Sequence, residues 1–452
     1  MSVRLRSAQG RGVLVATVLG SGVAFLDSTV VNVALPVLGR ELHAGIAGLQ
    51  WTMDAYLLTL TALLLLGGSL GDAFGRRKIF VAGLVWFALA SAACGLAPSI
   101  GALAVARAVQ GAGAALLVPG SLAVLRSSFA EEEQGRAVGA WAGLSGVTAA
   151  VGPLVGGWLI TASSWRVIFF LNLPLAAAAA GVGLRCIPES RTSGPLRIDV
   201  PGAVAATLGL GGCVYALIEA PVRGPGVAVA AALGAASLAA FVWIEARHPD
   251  PMLPLDLFRS RQFSGANAVT LAVYFALSGA TFLLIIHLQS VLGYSPLAAG
   301  AALTPVTLLL LVLSPPAGKL ASRIGYRALM TAGPLIAAAG LALLAGAGRG
   351  SSYVGGVLPG IAVLGLGLAT TVAPLTTAVL AGAEERHAGV AAAVNTAISR
   401  LAGLLAVALL PLLAGISAAE AASLAAGFPR AMWICAAVCA AGGLCALATL
   451  RT

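Results

Sequence analysis

Fourteen predominantly apolar stretches, each near the ~20 residues that a membrane-spanning helix needs, follow one another along this chain of 452 residues. They fall near 13–36, 50–71, 79–97, 101–126, 135–161, 166–187, 199–219, 226–246, 262–289, 296–317, 327–348, 353–381, 388–415 and 430–450. A soluble globule carries about 25% charged residues to face water; this chain has 9%. The fold class is therefore all-α and integral to a membrane, and no intervening loop is long enough for a soluble domain. The basic segment from Met1 to Gly12 precedes an apolar run too long for a cleaved leader, so it reads as the lead-in to a retained first helix.

The charges that remain orient the helices. An even number of spans puts both termini on one side. With the termini cytoplasmic, nineteen of the 26 Lys and Arg residues fall inside and five outside, while Arg107 and Arg400 lie within helices. Positive loops stay in the cytoplasm, so this assignment is the expected one. The net charge of +10 then reads as a cytoplasmic rim facing anionic lipid and not as a nucleic-acid footprint.

The sharpest local signal is Gly68-Ser69-Leu70-Gly71-Asp72-Ala73-Phe74-Gly75-Arg76-Arg77-Lys78, between the second and third stretches. It returns in weaker form as Gly318-Lys319-Leu320-Ala321-Ser322-Arg323-Ile324-Gly325-Tyr326-Arg327. One turn reused after the second helix of two sets of six predicts a duplicated bundle. The division expected is an N-terminal six-helix bundle over 1–187, a linker with two additional spans over 188–261, and a C-terminal six-helix bundle over 262–452.

Polar residues inside apolar spans need a reason to be there. An acid at the centre of a span costs about 2.5–3.5 kcal/mol on insertion scales, so it faces a partner or a cavity. Asp27 lies in such a place within Leu26–Pro36, with Asn32 further along. It suits a proton-exchanging carboxylate, or a structural acid capped by neighbouring hydroxyls. Asp54 follows Trp51 near the outer end of the second span, where water is expected to reach it; Trp51 and Tyr56 suit an interfacial belt. In the fourth span Arg107, Gln110, Gly111 and Ala114 share one stripe. Arg107 there either tunes a carboxylate or only ties the bundle together. The fifth span carries Gly139, Gly143, Gly146, Ala150, Pro153 and Gly157 on one face, with Gly152 and Gly156 beside it, a surface that lets another helix approach closely. Asn395, Ser399 and Arg400 form a polar patch in the thirteenth span. Trp165–Pro174 reads as an outer-surface turn, and Glu219, Arg223 and Glu245 as surface charges near helix ends.

Other chemistries find little support. The six cysteines sit in or beside apolar runs without metal-site spacing, and read as small packing residues. His43, His248, His287 and His387 lie in loops or toward span ends and read as incidental, so no metal is expected. Gly67-Gly68-Ser69-Leu70-Gly71 fits the G-x-S-x-G pattern, but a nucleophile elbow needs a strand-to-helix turn, and here the pattern ends a membrane helix. There is no H-E-x-x-H and no P-loop, so the reading is of a non-enzyme with no cofactor.

Together these residues resemble the major facilitator superfamily, and within it the fourteen-helix drug:proton antiporters. Gly68–Lys78 is similar to the superfamily's signature between helices 2 and 3, and Leu26–Pro36 to the helix 1 motif of the fourteen-helix branch. Arg107–Gly111 is similar to the helix 4 motif linked to proton coupling, and Gly152–Gly157 to the helix 5 motif associated with antiport. Trp165–Pro174 and Asn395–Gly403 also match the branch. One departure is Ala73, which stands where a basic residue is frequent, and this reduces the loop's expected charge network.

The resemblance implies two six-helix bundles plus two central extra helices, and export of a lipophilic drug or antibiotic against an inward proton. It implies Asp27, Arg107 and Asp54 in proton coupling, and Asp27, Asn32, Gln110, Asn395 and Arg400 around the substrate. Gly68, Gly71, Asp72, Gly75, Arg76, Gly152, Pro153, Gly156 and Gly157 would gate and support the bundle. The expected partners are a small-molecule substrate, protons and membrane lipid, with no nucleic acid. The expected state is a monomer in the inner or plasma membrane with both termini cytoplasmic. The alternatives left open are an exporter or importer of one metabolite, and a membrane enzyme or sensor that transports nothing.

Overall fold

In the computed structural model, residues 3–191, 199–248, 251–382, 388–418 and 420–450 are described. Arg197, Arg386, His387, Arg451 and the linker residues 192–198, 249 and 250 lie outside them. The described residues hold fourteen helices long and apolar enough to cross a membrane, and no β-strand; Val3 and Phe129 meet in an isolated bridge.

These helices are α1 (Ala8–Glu41), α2 (Ile46–Phe74), α3 (Arg76–Gly95), α4 (Ile100–Ser128), α5 (Glu131–Ala162), α6 (Arg166–Cys186) and α7 (Val200–Ile218). The series continues with α8 (Pro225–Arg247), α9 (Arg261–Ser290), α10 (Pro296–Ile324), α11 (Tyr326–Leu344), α12 (Tyr353–Ala381), α13 (Gly389–Leu413) and α14 (Ala421–Thr449). Each expected span has its helix. Several helices outrun the apolar stretch that announced them. The first, at 34 residues, is about 51 Å long at 1.5 Å per residue, well beyond a hydrocarbon core of about 30 Å.

Contacts divide the chain into two units. The first comprises Met1–Ala44, Trp51–Gly212 and Ala232–Met252; the second comprises Gly45–Gln50, Cys213–Ala231 and Leu253–Thr452. In the first unit α1 packs on α4, α5 and α6, and α3 packs on α4 and α6. In the second, α9 packs on α12, α13 and α14, and α11 packs on α12 and α14. Adding eight to every helix number of the first set gives the second. The internal repeat seen in one turn of sequence thus extends to the packing plan.

The repeated turn explains its own glycines. Gly75 and Gly325 stand between α2 and α3 and between α10 and α11, and both have positive φ, +111° and +83°. Side chains with a Cβ avoid that region, so the duplicated turn keeps glycine where it lets the acid become serine. In the first copy Arg76 Nε and Nη2 both donate to Asp72 Oδ1, at 2.9 and 2.7 Å. Glu189, just beyond α6, accepts from the Arg77 backbone N–H at 3.1 Å, and Arg76 N–H donates to the Ser190 carbonyl. The linker side of α6 supplies this second acid, which the sequence reading did not single out.

Prolines inside helices leave carbonyls without donors, and one such gap is filled visibly. Pro411 in α13 offers no N–H to Val407; Gln50, whose short segment belongs to the second unit, donates its Nε2 to the carbonyls of Val407 (2.7 Å) and Ala408 (3.1 Å).

Candidate functional site: a buried ion pair in the first unit

Asp27 sits just past the middle of α1 and is almost wholly buried, 2% exposed. Its carboxylate would not persist there alone, since an unpaired buried charge is costly. Arg107 on α4, with no exposed surface, donates Nη1 to Asp27 Oδ2. The other oxygen, Oδ1, accepts from Gln110 Nε2 at 2.9 Å and from Asn172 Nδ2 at 2.8 Å. Three helices, α1, α4 and α6, therefore meet at one carboxylate.

Each donor is held in turn. Arg107 Nη1 also reaches Gln110 Oε1 at 2.7 Å, and its Nε donates to the Thr52 carbonyl at 3.1 Å. The guanidinium carbon lies 4.2 Å from the centre of the Tyr56 ring, a contact that favours the cation over the ring face. Asn172 Nδ2 is shared with Ser91 Oγ at 3.0 Å, and Ser91 donates to the Phe169 carbonyl at 2.8 Å. Cys94 donates its thiol to Gln110 Oε1. Among the described residues Arg107 Nη2 and Asn172 Oδ1 find no partner. The network is charge-neutral and closed on the carboxylate, with one spare donor and one spare acceptor in its interior.

Close helix approach makes this possible. A Cβ on Gly111 would run into the Tyr56 carbonyl oxygen and Thr59 Oγ1, and Thr59 itself donates to the Ala108 carbonyl at 2.7 Å. Only a residue without a side chain lets α2 lie that near to α4, which brings Tyr56 beneath Arg107. On the opposite flank, Gly152 and Gly156 of α5 face Thr29 and Val30 of α1.

Several expectations change here. Tyr56, read as an interfacial belt residue, is buried against Arg107, with its hydroxyl donating to the Ala24 carbonyl at 3.3 Å. Asp54, expected within reach of water, has no exposed surface, and neither of its carboxyl oxygens finds a partner among the described residues. Trp165–Pro174 is not merely an outer turn: Trp165 is buried and donates to Glu41 Oε2, and Asn172 enters the ion-pair network. The tight face of α5 is the Gly152/Gly156 stripe, whereas Gly139, Gly143 and Gly146 have open space around them. Gly157 is buried and Pro153 half-buried within an unbroken helix. Glu245, expected at the surface, is 2% exposed beside Asp199 and Gly202. His287 is also buried, its Nε2 2.7 Å from the Ala347 carbonyl and its ring stacked on Phe428.

The remaining candidates lie apart from the ion pair. Asn32 turns back on its own helix, donating to the Ser28 carbonyl at 3.1 Å. Gly68 and Gly71 line the end of α2 near the Asp72–Arg76 pair. Asn395 and Arg400 belong to the second unit, where Asn395 Nδ2 donates to Asn267 Oδ1 (2.9 Å) and Thr270 Oγ1 (2.7 Å). Asn172, Ser91 and Cys94 are the site residues that sequence reasoning missed. The available clue was polarity within apolar runs, the same clue that singled out Asp27.

A duplicated helical bundle with a closed ion pair inside its first half defines a polytopic membrane protein of the transporter class. The chain belongs to the Major Facilitator Superfamily, whose family model matches residues 17–407. It is 37% identical over 388 residues to the multidrug resistance protein Stp of Mycobacterium tuberculosis, covering 85% of this chain and 72% of that one. It is 35% identical to the tetracenomycin C resistance and export protein of Streptomyces glaucescens (88% and 75% covered). With the puromycin resistance protein of Streptomyces alboniger it shares 39% identity (85% and 78%). Among solved structures, a POT family transporter in complex with 5-aminolevulinic acid superposes with a TM-score of 0.75 at 13% identity, covering 98% and 97% of the two chains. A bacterial homologue of the lysosomal transporter Spinster gives 0.68 at 15%, covering 99% of each. At those identities the likeness concerns the fold alone.

Proposed function

We propose that this protein exports lipophilic drugs or antibiotics from the cytoplasm in exchange for protons. The observation that carries the reading is the Asp27 carboxylate, held inside a membrane span by Arg107, Gln110 and Asn172. The relatives whose names print multidrug or antibiotic resistance support the cargo class.

The chemistry follows from the bonds. While Asp27 is ionised, it accepts from three donors on two helices besides its own. A proton on either oxygen removes the charge that Arg107 neutralises and places an O–H where an N–H now points. At least one of the three bonds must then give way, and the tie between α1, α4 and α6 loosens. Arg107 keeps the Thr52 carbonyl, Gln110 Oε1 and the Tyr56 face, so the cation is not stranded. Loss of the proton restores the closed arrangement. Asp54, buried and without a hydrogen-bond partner among the described residues, is a second candidate proton carrier. A small change at one carboxylate is thereby converted into two packings of one bundle, which is what alternating access needs.

The wider assignments rest on the same reading. The working division is two six-helix bundles, 1–187 and 262–452, around a linker with two added spans over 188–261. Gly68, Gly71, Gly75 and the Asp72–Arg76 pair stiffen the turn between α2 and α3. Gly152, Pro153, Gly156 and Gly157 keep α5 close to α1. Asn32, Gln110, Asn395 and Arg400 are candidate cargo contacts. The protein is placed as a monomer in the inner or plasma membrane, both termini cytoplasmic, its basic rim on anionic lipid.

The test is Asp27→Asn in everted vesicles energised with a pH gradient. Asparagine keeps the shape and cannot carry the proton, so gradient-driven efflux of a resistance substrate is expected to fall to background at unchanged membrane levels. Gradient-driven efflux persisting at the wild-type rate would reject Asp27 as the coupling acid.

A further inference from the structure

Two amides hold Oδ1 of Asp27, and they are not equally bound. Gln110 uses both ends of its side chain: Nε2 donates to the carboxylate at 2.9 Å, while Oε1 accepts from Arg107 Nη1 at 2.7 Å and from the Cys94 thiol at 3.4 Å. Turning it over would set its amide N–H groups against the guanidinium, donors against a donor. Asn172 uses one end only. Its Nδ2 serves Asp27 at 2.8 Å and Ser91 at 3.0 Å. Its Oδ1 has no partner among the described residues, although the residue has no exposed surface. Buried polar atoms are nearly always paired, so the ionised site lacks the donor that this oxygen suits.

Protonation of Asp27 supplies that donor. The oxygen that faces Arg107, Oδ2, still accepts from the guanidinium as a carbonyl, so the proton belongs on Asp27 Oδ1, between the amides. The new O–H then needs an acceptor. Arg107 on α4 has none to offer, Tyr56 on α2 donates to the Ala24 carbonyl, and Cys94 on α3 donates to Gln110. Helix α5 carries no titratable residue from Ala137 to Ala162. Gln110 is pinned through its oxygen. Asn172 is not, and α6 is interrupted right beside it, at Leu171, between Arg166–Phe170 and Asn172–Cys186.

We propose that Asn172 is the positioning residue that reads the protonation state of Asp27. When the proton arrives the amide inverts: Nδ2 gives up the Asp27 carboxylate, and Asn172 Oδ1 accepts the new O–H. The inference rests on the proton-coupled reading above and names the bond that yields. The proton bonds to Asp27 Oδ1, no other covalent bond changes, and Arg107 and Gln110 keep their places. Ser91 loses the donor it takes from Nδ2, and its hydroxyl, now held by the Phe169 carbonyl at 2.8 Å, is drawn toward the inverted oxygen. Two bonds from Nδ2, one of them to a charge, are thus exchanged for one from a neutral hydroxyl. Bonds to charged groups are roughly twice as strong as neutral ones, so the tie of α6 to α1 and α3 weakens. The ionised site holds the three helices together; the protonated site lets α6 part from α1.

The experiment is pH-difference infrared spectroscopy of the purified full-length protein, unlabelled and with asparagine isotopically labelled at its side-chain carbonyl. Lowering the pH is expected to produce a carboxyl C=O band that Asp27→Asn lacks. An asparagine amide band, identified by the label and lost in Asn172→Leu, should shift with it. In Asn172→Leu the carboxyl band should persist and move up to the frequency of a carboxyl whose O–H is unbonded, whereas Gln110→Leu should leave it at the wild-type frequency. A merely structural asparagine would move neither band. An Asp27 band at one frequency in wild type and Asn172→Leu overturns the proposal, and so does an equal move in Gln110→Leu. If Asn172→Leu does not fold, the labelled wild type decides alone: an Asp27 band that rises with no asparagine response overturns the proposal. Spectra with no band dependent on Asp27 would sink the coupling reading and this inference with it. The expected bands without gradient-driven efflux in vesicles would leave the role of Asn172 standing and sink the exporter reading alone.

Discussion

Replacing Arg107 by glutamine would leave the Asp27 carboxylate buried at 2% exposure with only the amides of Gln110 and Asn172 to face it. Removing one partner of a buried ion pair costs about 3–5 kcal/mol, because the other charge is stranded. Asp27→Asn strands the cation instead. Arg107 then still has the Thr52 carbonyl, Gln110 Oε1 and the Tyr56 face, and a desolvated cation–π contact contributes about 2 kcal/mol, so this variant should suffer less. Making both changes removes both charges and leaves neutral groups of similar shape, able to hydrogen-bond each other at a net cost nearer 1 kcal/mol.

The double variant is therefore expected to be more stable than Arg107→Gln alone, with a coupling energy of about 2–3 kcal/mol between the two positions, the upper range for residues in direct contact. The assay is thermal unfolding of the four purified proteins in one detergent at one scan rate, since membrane proteins seldom unfold reversibly. A midpoint for the double variant below both singles, additive in the two losses, would refute the claim that these charges balance one another in the folded protein. Efflux should be lost in all three, so stability and transport must separate: the double variant recovers the first and not the second.

Two further predictions concern glycines that look alike in sequence. Gly111→Ala drives a methyl into the Tyr56 carbonyl, which cannot rotate away. It should cost about 1–3 kcal/mol by overpacking and reduce efflux, whereas Gly139→Ala, with open space around it, should leave melting and efflux at wild-type values. Gly75→Ala forces a side chain into φ +111°, for about 1–3 kcal/mol, and sets its Cβ 2.8 Å from Glu189 Oε1. Adding Glu189→Ala should relieve the crowding but not the backbone strain, so the melting point should rise only part of the way back.

Fourteen spans, the duplicated turn and the presence of Asp27 and Arg107 inside spans were legible in the sequence because each is a departure from apolar monotony. Water and lipid differ so much as solvents that the boundary between them is written in charge. The glycines at 75 and 325 were legible for a related reason: a positive φ restricts the residue at a single position, whatever surrounds it.

Lipid and protein interior, by contrast, are both apolar, so a membrane helix carries no amphipathic stripe to say which face meets a neighbour. That is why Leu89 and Val105 are exposed on their helices while Leu84 and Leu103 are buried, with nothing in the residue types to tell them apart. It is also why Tyr56 and Asp54, expected near water, are enclosed, and why only Gly152 and Gly156 of the glycine-rich α5 press against α1 while Gly139, Gly143 and Gly146 have open space around them. The meeting of Asp27 with Arg107, 80 residues away, and with Asn172, 145 away, depends on how three helices cross. Only the packed bundle sets that geometry, because the glycine at 111 determines how closely two of its helices approach, and no local pattern of residues records the crossing.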